Sequence, residues 1–274
     1  MSEEVIHSRI WNERPEPDNP FAAAQCTVSG YDVYGDLLGK ASWIEYLYLL
    51  FKLEKPATDT TRLLETLAVA IANQGPRDHS IRAANCAGVG GSTSASCLMA
   101  ALAVGAGQLG GAREVFIGME YWQHCGKDLE LWQQHISNPP RDERADVWPE
   151  MQHPPGFDPH GASCSTPVKQ TLQALVACHP GGALAWLEQH REKLENLADC
   201  PLTMTGVAAA AMIDLEMTAD QGEMLYLLLR LPGAAAHALE QREYGWRKYP
   251  FFGDGLVLTN DPGPLTENSK KNHS

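Results

Sequence analysis

Apolar residues recur along this chain at helical spacing, and alternating runs rich in β-branched residues are nearly absent. That pattern restricts the fold more than any other feature: an all-α chain is expected, since strands need a period near two. "SWIEYLYLLFKLEKP" opens on Ser42 with Glu45 three positions later, a capping box ahead of a helix that must end before Pro56. "DTTRLLETLAVAIAN" continues with the same periodicity. Pro76 suits the first turn of the next helix, where its missing N–H would have no partner anyway. "SASCLMAALAVGAG" is small and apolar all round, which predicts a buried helix closely packed by its neighbours. Helical patterns also cover 113–134, "VKQTLQALVA", "GALAWLEQHREKLENL", "PLTMTGVAAAAMIDLEMT" and "ADQGEMLYLLLRLPGAAAHALEQREYG".

Two stretches break the pattern. The polar, Pro-rich start reads as an extended arm over 1–27, and "NPPRDERADVWPEMQHPPGFDPHGASCSTP" reads as a long functional loop or lid. A Lys-rich polar tail closes the chain. No repeat or low-complexity tract is present.

With 274 residues the chain can bury a sizeable core, as one large domain or two unequal ones. A net charge of −13 argues against a nucleic-acid or anionic-membrane surface, while leaving room for a local basic pocket. The seven cysteines form no CxxC pair and read as reduced, packed thiols. With no leader-like start and no apolar run of membrane length, a cytoplasmic protein is expected. The dispersed histidines offer no metal-ligand spacing, and the Gly runs lack the Lys-Ser/Thr of a phosphate loop, so neither a metal nor a nucleotide is expected.

Five blocks in order give the chain a family resemblance. "GYDVYGDLLGKASWIEYLYLLFKLEKP", "ANQGPRDHSIRAA", "GAGQLGGAREVF", "PLTMTGVAAAAMIDL" and "RLPGAAAHALEQREYG" together resemble the citrate synthase superfamily. The nearest branch is citryl-CoA lyase, found also as the C-terminal module of ATP-citrate lyase. The resemblance covers most of 28–249 and is weakest at 135–170. It implies an all-α fold with a large helical domain (28–118 and 202–274) and a smaller one, with the lid-like loop, over 119–201. It further implies an active site between them, close to a homodimer interface.

Such enzymes make or break a carbon–carbon bond beside an acyl-CoA thioester. The chemistry needs a base at the carbon next to the carbonyl, a donor for the enolate oxygen, and groups that grip carboxylates. By resemblance, Gln74 stands at the histidine of A-D-H-G-P, beside Asn73; its amide can donate a hydrogen bond but cannot carry a proton near neutral pH. Thr205 stands at the aspartate of L-N-V-D-G, so the expected proton acceptor is missing. Leu109 precedes the Gly110-Gly111 turn, where the lyase branch is also apolar. The branch's Gly-x-Gly-His-Arg loop has "PPGFDPHGAS" in its place. Two readings stand there: the loop histidine is deleted, or His160 reaches the same space from another frame.

Arg230 falls on the arginine of R-x-x-G-x-x-A-H and suits bidentate carboxylate binding, unless it is a structurally paired arginine. His237 ends that motif and reads more readily as a structural histidine. His79, after Asp78, is the candidate for a relocated base, its neutral form favoured by a helix N-terminus; the plainer reading is an exposed first-turn histidine. Two functions follow. One is an acyl-CoA carbon–carbon lyase or synthase with coenzyme A thioester and small carboxylate as ligands and an altered proton-transfer set (Gln74, His79, His160, Thr205). The other is a catalytically degenerate member that binds a ligand or completes a hetero-oligomer with a catalytic paralogue.

Overall fold

The computed structural model describes residues 7–139 and 151–250. The Lys-rich tail and the middle of the long Pro-rich loop lie outside the described residues. Ten α-helices dominate what is described, so the helical reading holds. The start of the chain departs from an extended arm. Asn12–Pro15 (β1), Ala23–Val28 (β2) and Tyr31–Asp32 (β3) form a small antiparallel sheet in the order β1-β2-β3. Its own core is slight: Val28 and Leu37 pack on Leu49 of the first helix. Strands this short leave little periodicity to read; β1 reverses into β2 through the 16–22 turn and β2 into β3 at Ser29-Gly30, both at positive φ.

Trp43–Lys52 (α1) carries the expected Ser42/Glu45 capping box and ends at Leu53 in the left-handed region. Thr58–Ile71 (α2) buries Leu63, Leu64, Leu67 and Ile71 at helical spacing. The next helix, His79–Val89 (α3), starts three residues later than Pro76 suggests. Asp78 is its N-cap, accepting from the Ser80 and Ile81 N–H groups, and Pro76 lies in the turn before it. The 113–134 stretch is two helices, Ala112–Cys125 (α5) and Leu129–Ser137 (α6), parted where Gly126 takes a positive φ.

Ser94–Gly105 (α4) is not buried all round. Cys97, Ala101 and Gly105 face inward, but Met99 is 60% and Val104 44% exposed. Thr166–Cys178 (α7), Ala183–Ala198 (α8), Met204–Asp214 (α9) and Ala219–Tyr244 (α10) complete the bundle. Helix α9 is the most deeply placed, with Thr205 through Met212 buried without interruption.

The main core gathers α1, α2, α5 and α7 to α10, with Trp132 of α6. A smaller cluster joins α3, α4 and α10 through Ile81, Ala84, Cys97, Ala101, Ala234 and Ala238. Small residues set these distances: a Cβ on Gly88 of α3 would stand 2.6 Å from the Ala238 carbonyl of α10. Of the boundaries implied by the resemblance, 118/119 falls inside α5 and 201/202 just ahead of α9. No helix among the described residues is long and apolar enough to cross a membrane.

Candidate functional site

Helix α10 runs past both the α2–α3 turn and the Gly110-Gly111 turn, and it organises the site. Its Gly233 N–H donates to the Ala72 carbonyl at 2.8 Å. The approach depends on a missing side chain, because a Cβ there would lie 2.5 Å from that oxygen and 2.7 Å from Asn73 Cα. One turn further on, His237 Nε2 meets Asn73 Oδ1 at 3.1 Å while Nδ1 meets Glu240 at 3.1 Å. Asn73 Oδ1 also accepts from the Gly75 N–H. His237 therefore fastens the turn that carries Gln74, which is half-buried and has its amide 3.4 Å from the Ile71 carbonyl. That contact is long for a hydrogen bond and leaves the amide available to another acceptor.

Arg230 is 7% exposed, and both of its terminal nitrogens tie parts of the fold together. One terminal nitrogen donates to Asp78 Oδ2 at 2.5 Å, the other to the Gly110 carbonyl at 3.1 Å. Its plane lies over the Tyr226 ring at 5.0 Å. Its Nε is buried with no hydrogen-bond partner. A cavity of about 10 Å³, room for one water, touches Arg230 and Ser80 beneath α4. The same Asp78 carboxylate caps α3, so one acidic side chain joins α3 to α10.

From Gly110 the network continues into a pair of residues that the sequence reading passed over. Glu114, 2% exposed on α5, accepts the Gly110 N–H at 2.7 Å through Oε2 and the Gly156 N–H at 2.8 Å through Oε1. His153 Nε2 stands 3.5 Å from Glu114 Oε1, with an 8% exposed side chain. The Gly156 carbonyl in turn accepts the Thr203 N–H at the start of α9. Gly156 has φ +87° and meets Gly206 so closely that neither could carry a Cβ. Thr205 is 2% exposed, with its hydroxyl 2.6 Å from that of Thr203. The Tyr226 phenol is wholly buried among these groups. Burial pushes it up to about 12, against the pull of Arg230 and with the added push of the Glu114 and Asp78 carboxylates.

The expected residues thus divide. Gly110, Arg230 and the Asp78 beside His79 form one hydrogen-bonded set, and Asn73 of the α2–α3 turn forms another with His237, one of the residues that α10 carries beyond Arg230. Gly111 is the N-cap of α5 and touches the Gly107 carbonyl too closely for any side chain. His79 is exposed at the first position of α3, as its plainer reading had it. His160 is exposed in a turn held by its own N–H on Asp158, with no bond to the other expected residues. Glu114 was legible in one respect: it shares the 114, 118, 121, 125 face of α5 with Gly118, Tyr121 and Cys125, all buried. An acid on such a face must be satisfied inside the protein.

No family model and no curated protein matches the sequence. Solved structures do match. Citryl-CoA lyase from Hydrogenobacter thermophilus superposes with a TM-score of 0.72 over 97% of this chain and 100% of its own, at 17% identity. The chain has the fold of citryl-CoA lyase. ATP citrate lyase from Methanothrix soehngenii, solved with citrate and coenzyme A, gives 0.70 at 18% identity over 96% of this chain and 42% of its own. A mutant ATP citrate lyase from Methanosaeta concilii, in complex with (3S)-citryl-CoA, gives 0.70 at 16% identity over 97% of this chain and 43% of its own. The chain therefore spans under half the length of these two ATP citrate lyases and all of the citryl-CoA lyase. This citrate synthase-type fold is the one that the five sequence blocks imply.

Proposed function

We propose that this protein is a citrate synthase/citryl-CoA lyase-like enzyme that makes or breaks a carbon–carbon bond between an acyl-CoA thioester and a small carboxylic acid. The observation that carries the reading is the convergence of the Gly110 turn, Arg230, Asp78 and Glu114 in one buried network, within a fold shared with proteins solved bound to citrate, coenzyme A and citryl-CoA. In this reading coenzyme A enters as the acyl-CoA substrate, and no metal takes part. Gln74 supplies an N–H to the thioester oxygen as enolate charge develops, a role open to an amide. Arg230, engaged by Asp78, acts on a carboxylate through its remaining N–H groups or by exchanging Asp78 for it. Isothermal titration with coenzyme A, acetyl-CoA and citrate, followed by turnover of citryl-, malyl- and methylcitryl-CoA, tests the reading. A protein that neither binds nor turns over any of these compounds would sink it.

The enzyme works as a homodimer in this proposal. Helix α4 has no charged residue from Ser94 to Gly105, yet it exposes Met99 and Val104, with Leu109 45% exposed beyond its end. Large apolar side chains exposed on and just beyond a helix without charges mark an association surface. Met99→Glu should turn a dimer into a monomer in sedimentation experiments.

Thr205 favours a second reading. Its hydroxyl is buried against that of Thr203 and bonds to no base among the described residues, which fits a degenerate subunit that binds ligand and completes a hetero-oligomer. A homodimer fully active without any other chain would reject that alternative.

A further inference from the structure

We propose that His153, oriented by Glu114, is the proton carrier of this site, replacing the acid–base groups absent at positions 74 and 205. The inference rests on the function proposed above. The chemistry requires a group that can take a proton from the carbon beside the thioester carbonyl, and neither an amide nor an unassisted hydroxyl can do so near neutral pH.

His153 sits where the site segments meet. Its neighbour Glu114 holds the Gly110 N–H, and the Gly110 carbonyl holds Arg230. The other Glu114 oxygen holds the Gly156 N–H, and the Gly156 carbonyl holds Thr203 at the head of the helix that bears Thr205. Two separate turns meet on this one carboxylate, with Arg230 and the head of α9 one hydrogen bond further out, and the imidazole is beside it.

The ring is built to be oriented. Nε2 is buried, makes no hydrogen bond, and stands 3.5 Å from Glu114 Oε1. The 8% of the side chain that remains exposed therefore belongs to other atoms of His153. Closing the gap to Glu114 into a hydrogen bond in the substrate complex fixes the tautomer with the proton on Nε2, leaving the lone pair on Nδ1. Among the described residues, the charged and titratable groups next to this His153–Glu114 pair are Tyr226 and Arg230 on α10 and Asp78 at the head of α3.

The step balances within the site. The α-carbon's C–H bond breaks, its proton bonds to His153 Nδ1, and its electron pair moves onto the thioester oxygen as the enolate. Reversal returns a proton from the imidazolium to carbon, and nothing is oxidised or reduced.

The test is exchange of the methyl hydrogens of acetyl-CoA for deuterium in D₂O, followed by proton NMR with the full chain. It needs no carboxylate partner. Wild type should exchange, and His153→Gln should bind coenzyme A as wild type does while exchanging about 10²-fold more slowly or worse. A His153→Gln protein exchanging within twofold of wild type overturns the inference and leaves the proposed function standing. Wild type that binds coenzyme A without exchange also overturns the inference alone; wild type that neither binds nor exchanges overturns both. Should His153→Gln fail to fold, wild type labelled with ¹⁵N-histidine decides. The midpoint of the exchange rate against pD should coincide with that of the His153 ring resonance, and separate midpoints overturn the proposal.

Discussion

Replacing Arg230 by Met tests whether this arginine is a structural tie as well as a ligand group. The substitution keeps a long side chain over Tyr226 but removes the donors to Asp78, the Gly110 carbonyl and Ser80. Removing one partner of a buried ion pair costs about 3–5 kcal/mol, because the other charge is left uncompensated. Asp78 keeps the Ser80 and Ile81 N–H groups, and its side chain is 15% exposed, so the low end of about 3 kcal/mol is expected. At roughly 2–4 °C per kcal/mol for a chain of this size, the melting temperature should fall by roughly 6–12 °C. Urea denaturation at fixed protein concentration measures the loss, and Asp78→Asn, which retains a good N-cap, closes a double-mutant cycle. The reasoning predicts a coupling of at least about 1 kcal/mol between the two positions. An Arg230→Met protein within about 0.5 kcal/mol of wild type, or two substitutions that simply add, would refute it. Arg230 would then be a free clamp.

Three further outcomes are expected. Gly233→Ala places a methyl group against the Ala72 carbonyl and Asn73 Cα, so it should destabilise by about 1–3 kcal/mol in thermal melts and weaken any ligand contact made by Gln74. His135 has its pKa lowered, first by burial and then by the stacked His124; the unfolded chain therefore binds the proton more readily. Stability should be full above the ordinary histidine value and fall as pH drops through it towards the lower folded value; His135→Gln should flatten that slope in urea midpoints measured across this range. Among the seven thiols, Cys86 is exposed, whereas burial pushes Cys125 up to about 11. A thiol-reactive dye at neutral pH should modify Cys86 first and reach Cys125 only on unfolding.

Sequence alone determined the helical class and most helix positions, because both follow from local spacing and capping chemistry. The Ser42/Glu45 box, the periodic Leu63, Leu64, Leu67 and Ile71, and the five family blocks are all contained within short windows. It also singled out Arg230 and Gly110 as candidates, and the fold joins these two directly. Tertiary structure decided the rest. Pro76 marks a turn because Asp78 takes the cap, and Asp78 is held in place by an arginine 152 positions away. Composition could not show that α4 leaves one face uncovered, since an apolar helix looks the same buried or exposed. Nor could spacing single out His153 among ten histidines. Its significance lies in a buried carboxylate on another helix, whose two oxygens tie turns 46 residues apart, Gly110 and Gly156, and only folding brings those together.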